Sequence, residues 1–202
     1  MAVPVLQLTP AHQPAILKHF MALQDEDLRL RFGQRIKPEG IEKYVEGLDF
    51  MRDAVFGVFG DDLELAGVAH LALAQDGGTG ELGVSVLPAQ RGKGVGKALF
   101  ARAAGHCRNF RVGTLFMHCL AENGAMMHIA RTTGMRIARD AGEADAYLSL
   151  PPGDSVSLAD EMMQTPLALF DFALKSQLKA ARAYTTAVGE MQKVGEPVLP
   201  ES

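Results

Sequence analysis

The stretch Glu81–Leu99, ELGVSVLPAQRGKGVGKAL, constrains this chain more than any other. Leu82, Val84 and Val86 alternate as in a strand, and Pro88 stops the run. The loop Arg91-Gly92-Lys93-Gly94-Val95-Gly96 follows, and a helical pattern begins at Lys97. Strand, glycine loop and helix together form a phosphate cradle. The first N–H groups of a helix have no intrahelical partner, and the helix dipole there favours negative charge. Glycine lets the backbone approach a ligand and adopt positive φ. Arg91 and Lys93 are expected to reinforce the preference for anions. A nucleoside triphosphate loop does not fit, because Gly92 to Gly96 is one residue too short and Ala98 follows Lys97 where Ser or Thr is required. A dinucleotide site does not fit either, because a β-meander rather than a βαβ unit precedes the loop.

The flanking chain reads as an α+β protein. Val3 to Leu8 predicts a strand ended by Thr9-Pro10, and Ala15 to Leu23 a helix with Ile16, Phe20 and Leu23 on one face. Asp25 to Gly33 is charged and turn-like. Pro38 opens a second helix carrying Ile41, Tyr44, Val45 and Leu48. Ala54–Phe59, Leu63–Ala74 and Glu81–Leu87 form a meander joined by Gly60-Asp61-Asp62 and Asp76-Gly77-Gly78. Gly96 to Phe110 is a helix. Thr114 to Leu120 is apolar enough to predict burial on both faces. Asn123 caps a helix over Ala125–Thr133 closed by Gly134, and a final strand pair covers Met135–Ala138 and Ala146–Leu150. Pro151-Pro152-Gly153 divides a domain over 1–150 from an extension over 151–202. In that extension Ser157 with Asp160 and Glu161 resembles a capping box. Thr165-Pro166 starts a long helix striped by Leu169, Phe172, Ala173, Leu178, Ala181, Tyr184 and Val188, and the tail from about 195 is expected to fray.

Composition excludes several partners. With a net charge of -4 the chain lacks the basic surface that nucleic-acid binding uses. No apolar run approaches the ~20 residues of a membrane span. The opening MAVPVLQLTP has no basic start and does not read as a secretory leader. Cys107 and Cys119, the two cysteines, lie in apolar runs and suit a reducing cytoplasm. No His/Cys grouping has the spacing of a metal site.

This order of elements resembles the GNAT superfamily of acyl-coenzyme A N-acyltransferases. Arg91-x-x-Gly94-x-Gly96 matches that superfamily's cofactor motif, Gln/Arg-x-x-Gly-x-Gly/Ala. Leu120 to Met135 is similar to its second helix motif, an Asn with a Gly eleven residues on. DLRLRF, Asp27 to Phe32, makes the chain most similar in look to the acetyltransferase domain of bacterial protein-lysine acetyltransferases. The resemblance covers residues 3 to 150. It implies a central, mostly antiparallel twisted sheet flanked by helices, to which the C-terminal helix is an addition, and acetyl-coenzyme A as cofactor.

The resemblance also assigns roles. Backbone N–H groups from Arg91, Gly92, Lys93, Gly94, Val95 and Gly96 would hold the pyrophosphate. Val84 and Val86 would pair with the pantetheine arm, and Asn123 would touch it. Glu81, sharing a face with Gly83 and Ser85, is the candidate general base for an amine acceptor, with a solvated strand-end glutamate as the alternative. The family's tyrosine acid falls at Ala130, so the acid is unassigned among solvent, Ser85 and His128. Arg29, Arg31 and Phe32 border the acceptor region and suit an anionic substrate. Asp25, Glu26 and Asp27 suit a cationic lysine or polyamine, and a solvated charge run accounts for both sets equally. The activity implied is transfer of an acetyl group to a small-molecule amine or a protein lysine by direct attack. The alternative is a non-catalytic coenzyme A sensor. The C-terminal helix either docks on its own domain or forms a homodimer seam.

Overall fold

The computed structural model describes residues 3–75 and 77–194. Thr9-Pro10 ends β1 (Leu6–Leu8), and a short 3-10 turn leads into α1 (Gln13–Met21). Next come α2 (Asp25–Phe32) and α3 (Pro38–Glu46), then the meander β2 (Ala54–Phe59), β3 (Leu65–Leu73) and β4 (Thr79–Val86). The glycine loop feeds α4 (Val95–Asn109), followed by β5 (Thr114–Leu120), α5 (Gly124–Thr132), β6 (Arg136–Asp140), β7 (Glu143–Ser149) and α6 (Ser155–Val194). The seven strands form one sheet in the order β1-β2-β3-β4-β5-β7-β6. Every pair is antiparallel except β4–β5. This is the mixed, mostly antiparallel sheet with flanking helices expected of the sequence.

Each face of the sheet carries its own core. Leu99, Ala103 and Cys107 of α4 pack with Met127 of α5 on Phe56, Leu71 and Leu115. On the other face Ile16 and Phe20 of α1 and Ile41 and Val45 of α3 pack on Val55, Leu65 and Val68. No helix among the described residues is long and apolar enough to cross a membrane.

Four expectations are corrected. Asp25 to Gly33 is a helix, not a turn. Its acidic first turn and basic last turn match the helix dipole, Glu26 pairs with Arg29, and Gly33 closes it at φ 73°. Only Leu28 of α2 is buried, so no apolar periodicity marks it. Second, β5 is buried on one face only. Leu115, Met117 and Cys119 point into the core, whereas Phe116 stacks on Tyr147 at 4.9 Å and His118 reaches Asp145. Third, the cap of α6 is Asp154, which accepts from Ser157 N while its own N–H donates to Ser157 Oγ. Fourth, α6 runs unbroken through Pro166. A proline inside a helix costs about 3 kcal/mol. Here the helix is pinned on both sides of it, by Glu161 before and by Ala168 and Phe172 after. The expected apolar stripe is also divided: Phe172 packs on Phe59 at 4.8 Å, while Leu169, Leu178 and Tyr184 are exposed. The side chain of Val188 and the tail from residue 195 lie outside the described set.

Glu161 is the main pin of α6. Its carboxylate accepts from Arg102, from Asn109 and from His106 at 2.8 Å. Burial opposes its charge, but the hydrogen bonds from His106, Arg102 and Asn109 prevail and hold its pKa at about 2. A carboxylate depressed in the folded state stabilises fully above its ordinary value near 4.5 and stops doing so as pH falls toward about 2. Glu161→Gln keeps the shape and some hydrogen bonds but removes the charge. It is expected to lower the unfolding free energy by about 2 kcal/mol in urea at neutral pH. The gap from wild type should narrow as the titration descends through that acidic window.

Candidate active site

The parallel β4–β5 pairing covers only Thr79↔Thr114, Gly80↔Leu115 and Glu81↔Phe116. Beyond Glu81 the strands separate. β5 stays in antiparallel register with β7 along its whole length, Thr114 to Leu120, and so remains in the sheet after it leaves β4. The edge of β4 from Leu82 to Val86 is left without a strand partner on that side. Asn123 spans the opening: its Oδ1 accepts from Met126 N at 3.1 Å, capping α5, and its Nδ2 donates to the carbonyl of Leu30 on α2. A cleft of about 580 Å³ results, walled by Val84, Ser85 and Val86 on one side and by α5 on the other.

The far end of the cleft is the glycine loop. Gly92 and Gly94 have φ of 73° and 81°, and Gly94 is the N-cap of α4. The first backbone bond into α4 is Ala98 N to Gly94 O, so the N–H groups of Val95, Gly96 and Lys97 have no helical acceptor. A Cβ on Gly96 would lie 3.3 Å from Ile129 Cδ1, which is how closely α4 approaches α5. The two expected cations behave differently from the reading of the sequence. Arg91 is paired with Asp27 across the cleft at 2.6 Å, and its Nε donates to Val86 O. Lys93 donates to Gln90 Oε1 and does not line the cleft, whereas Lys97 does. Anion attraction here comes chiefly from backbone N–H groups and Lys97.

At the near end, Glu81 is exposed at the point where the strands part, on the same face as Gly83 and Ser85. Ser85 is buried at 7% exposure and lies 2.8 Å from His19 Nε2. His19 Nδ1 donates to Leu65 O at 2.7 Å, so Nε2 carries only a lone pair and the Ser85 hydroxyl donates to it. Burial, opposed by the Leu65 hydrogen bond, holds the His19 pKa at about 4, so the ring is neutral. The Ser85 proton is thereby directed away from the cleft, which argues against Ser85 as an acid. His128 is exposed on the cleft wall, and Ala130 is buried in the core. Burial pushes the Cys119 thiol up and the Cys107 thiol to about 12, so both pack as thiols.

A second polar chain stands beside Glu81. Arg31 Nη2 donates to Tyr44 Oη at 3.0 Å, Tyr44 Oη is 2.9 Å from His70 Nδ1, and His70 Nε2 is 3.0 Å from Asp53 Oδ2. Arg31 can only donate, so the Tyr44 proton goes to His70 Nδ1 and the His70 Nε2–H goes to Asp53. Burial lowers the His70 pKa despite Asp53, which keeps the ring neutral. Asp53 stays a carboxylate: burial raises its pKa, and hydrogen bonds from Arg52, His70 and Leu73 N overcome that. Of these four residues only Arg31 was singled out from sequence as a site residue. The available signals for the others were a lone histidine inside the apolar strand VAHLAL and an aspartate just ahead of AVFGVF.

A comparison with proteins of curated function returns no significant match. Solved structures do match the fold. The GNAT domain of the Streptomyces lividans PAT is similar at a TM-score of 0.62 and 18% identity, over 72% of this chain and 89% of that one. Ribosomal-protein-alanine N-acetyltransferase from Brucella melitensis is similar at 0.57 and 18%, over 72% and 99%. The structure of yncA from Salmonella typhimurium with its cofactor acetyl-CoA is similar at 0.56 and 16%, over 75% and 95%. The profile of the Acetyltransferase (GNAT) family matches residues 20–135, more than half of the 202 residues, spanning α2 through α5 with both the split strands and the glycine loop. The chain belongs to the GNAT acetyltransferase family.

Proposed function

We propose that this protein transfers the acetyl group of acetyl-coenzyme A to a primary amine, of a small molecule or a protein lysine, by direct attack within residues 1–150. The observation that carries this reading is the cleft itself. It begins beside Val84, past the point where β4 and β5 part at the exposed Glu81, and ends at the unpaired N–H groups of α4. The residues fit the cofactor. Gly92 to Gly96 offers backbone donors to a pyrophosphate, the Arg91 N–H being given to Pro88 O, and the β4 edge at Val84 and at the Val86 N–H, whose carbonyl accepts from Arg91 Nε, offers strand-like pairing to an amide-bearing arm. Asn123 bridges the wall above them. The cofactor, when bound, supplies an activated thioester. Glu81 would take the proton of the attacking amine, and the backbone N–H of Val84 is the candidate donor to the acyl carbonyl; as the C–N bond forms the C–S bond would break, and the leaving thiolate would take its proton from solvent or from His128 on the cleft wall. The net charge of -4, the absence of a basic face in composition and the two buried thiols support a cytoplasmic enzyme without a nucleic-acid partner.

Ala130 and the inward-facing Ser85 hydroxyl favour one second reading, a coenzyme A-binding sensor without turnover. Thiol release from acetyl-coenzyme A across an amine library separates the two. Glu81→Gln is expected to lower kcat at least 100-fold while cofactor affinity by calorimetry stays unchanged. An unaltered rate removes Glu81 from the chemistry. Gly94→Ala places a side chain at φ 81° and should weaken cofactor binding about tenfold. Wild-type affinity in that variant would show that the loop is not the cradle.

The extension over 151–202 we assign to self-association. Val156, Met163, Leu167, Phe170, Leu174 and Leu178 follow a helical period along α6, each at least 49% exposed. They lie opposite the face that Glu161, Ala168 and Phe172 dock on the domain. An apolar stripe of this length can meet its own copy about a two-fold axis. Light scattering should give twice the 21.7 kDa of one chain, and Phe170→Glu should give a single chain. A wild-type mass of one chain at micromolar concentration would exclude the seam.

A further inference from the structure

Two arginines line the cleft, and they are treated differently. Arg91 is paired with Asp27, but Arg31 has no carboxylate within ion-pair distance among the described residues. Its one hydrogen bond goes to the Tyr44 hydroxyl, and its Nε is buried with no partner. A half-buried guanidinium without a counter-charge is costly and is expected to be matched by something else. Its position is built. The guanidinium lies flat on β4 at Gly83, where any Cβ would sit 2.3 Å from Cζ. Glycine weakens a strand interior, so its presence at 83 is explained by this close approach. The rings of Phe32 and Tyr44 lie 5.0 and 5.7 Å from Cζ and hold the group from the side. The chain through Tyr44 and His70 to Asp53 fixes its orientation.

Gly83 is two residues from Glu81 on the same strand face, roughly 7 Å by the rise of a strand. Beside the parting of β4 and β5, Arg31 of the cleft wall and the exposed Glu81 thus stand about one strand repeat apart, a guanidinium and a carboxylate that do not pair with each other. We propose that Arg31 receives a carboxylate of the acceptor, so that the substrate is a small amine bearing its own carboxylate, of the amino-acid class. The amine lies toward Glu81 and the carboxylate on Arg31, with Nη1 as the open donor, since Nη2 is given to Tyr44 and Nε is buried. This rests on the transferase reading above and narrows its acceptor. Tyr44 is a positioning residue: it aims the guanidinium and does not itself touch the substrate.

Matched pairs test this. Thiol release is measured with glycine against methylamine, 4-aminobutyrate against propylamine, and lysine against cadaverine, at a pH where the amines are equally ionised. At least one carboxylated member should exceed its partner 100-fold or more in kcat/KM. Arg31→Met should bring that member down to the level of its partner, and Arg31→Lys should recover part of the preference. Tyr44→Phe should raise KM for the carboxylated member alone, leaving kcat unaltered, which a general loosening of the fold would not do. Wild-type indifference to the carboxylate in all three pairs overturns the proposal. So does an Arg31-dependent preference for succinyl- over acetyl-coenzyme A with the plain amines, which would put the carboxylate on the acyl group instead. Calorimetry with the same pairs and coenzyme A covers the case of no turnover. Arg31-dependent binding of the carboxylated member then supports the receptor while the transferase reading fails, and equal binding of both members overturns it. If Arg31→Met does not fold, the wild-type pairs and Tyr44→Phe decide the matter alone.

Discussion

The site depends on one interrupted pairing, that of β4 with β5. Parallel neighbours need a crossover, and here the crossover is the glycine loop and α4. The loop therefore leaves β4 at the end where the strands part, and the N-terminus of α4 is delivered to the same opening. β7 satisfies one whole edge of β5, so the separation costs hydrogen bonds only on the edges that face the gap. Those groups are the ones that a strand-like ligand arm would use in the proposed reading. α2 and α5 hold the opening through Asn123 and through the Asp27–Arg91 pair. The cleft is thus a consequence of strand order, and its two ends differ in chemistry because they lie at opposite ends of β4.

Beside the parting of β4 and β5 stand two hydrogen-bond chains of defined direction, one buried and one partly buried. Leu65 O fixes His19, which takes the Ser85 proton. Arg31 fixes Tyr44, which fixes His70 on Asp53. In each, one group that can only donate or only accept decides where every proton goes. Satisfied chains of this kind are rigid, and a missing member leaves buried groups unpaired, which is costly in a low dielectric. That rigidity suits a surface that must hold charges at fixed separation, and it accounts for histidines at apolar positions of α1 and β3.

The fold was legible where local signals and burial agree. The Gly60-Asp61-Asp62 turn, the Pro38 helix, the Asn123 cap and Gly134 at φ 74° all stand where their residue types require, while Asp76 of the second meander turn lies outside the described residues. The reading missed α2, whose single buried residue leaves no periodicity. It misplaced the start of α6, because Thr165-Pro166 is a strong local signal that anchoring by Glu161 and Phe172 overrides. Within the site, the glycine loop was visible as a motif, and Glu81 and Ser85 were visible by alternation. Tyr44, His70, Asp53 and His19 were not, since each comes from a different element and meets the others only in three dimensions. The charge of the loop was also misread: Arg91 is neutralised by Asp27, more than sixty positions earlier in the chain.

The sequence by itself determined the order of the strands and of the helices other than α2, and the glycines of the loop and of the α5 end, because these rest on backbone conformation and short-range patterning. Membership of the GNAT acetyltransferases follows from the same local features. Tertiary structure decided which charges remain free. Whether an arginine binds a ligand or a neighbouring carboxylate depends on distances between elements far apart in the chain, and Coulomb energies are set by those distances and by burial, neither of which a residue's neighbours in sequence specify. The glycine loop could be read as a cradle from its spacing. That its arginine is spent on Asp27, while Arg31 stands uncompensated over Gly83, was fixed only when α2 packed across the split in the sheet.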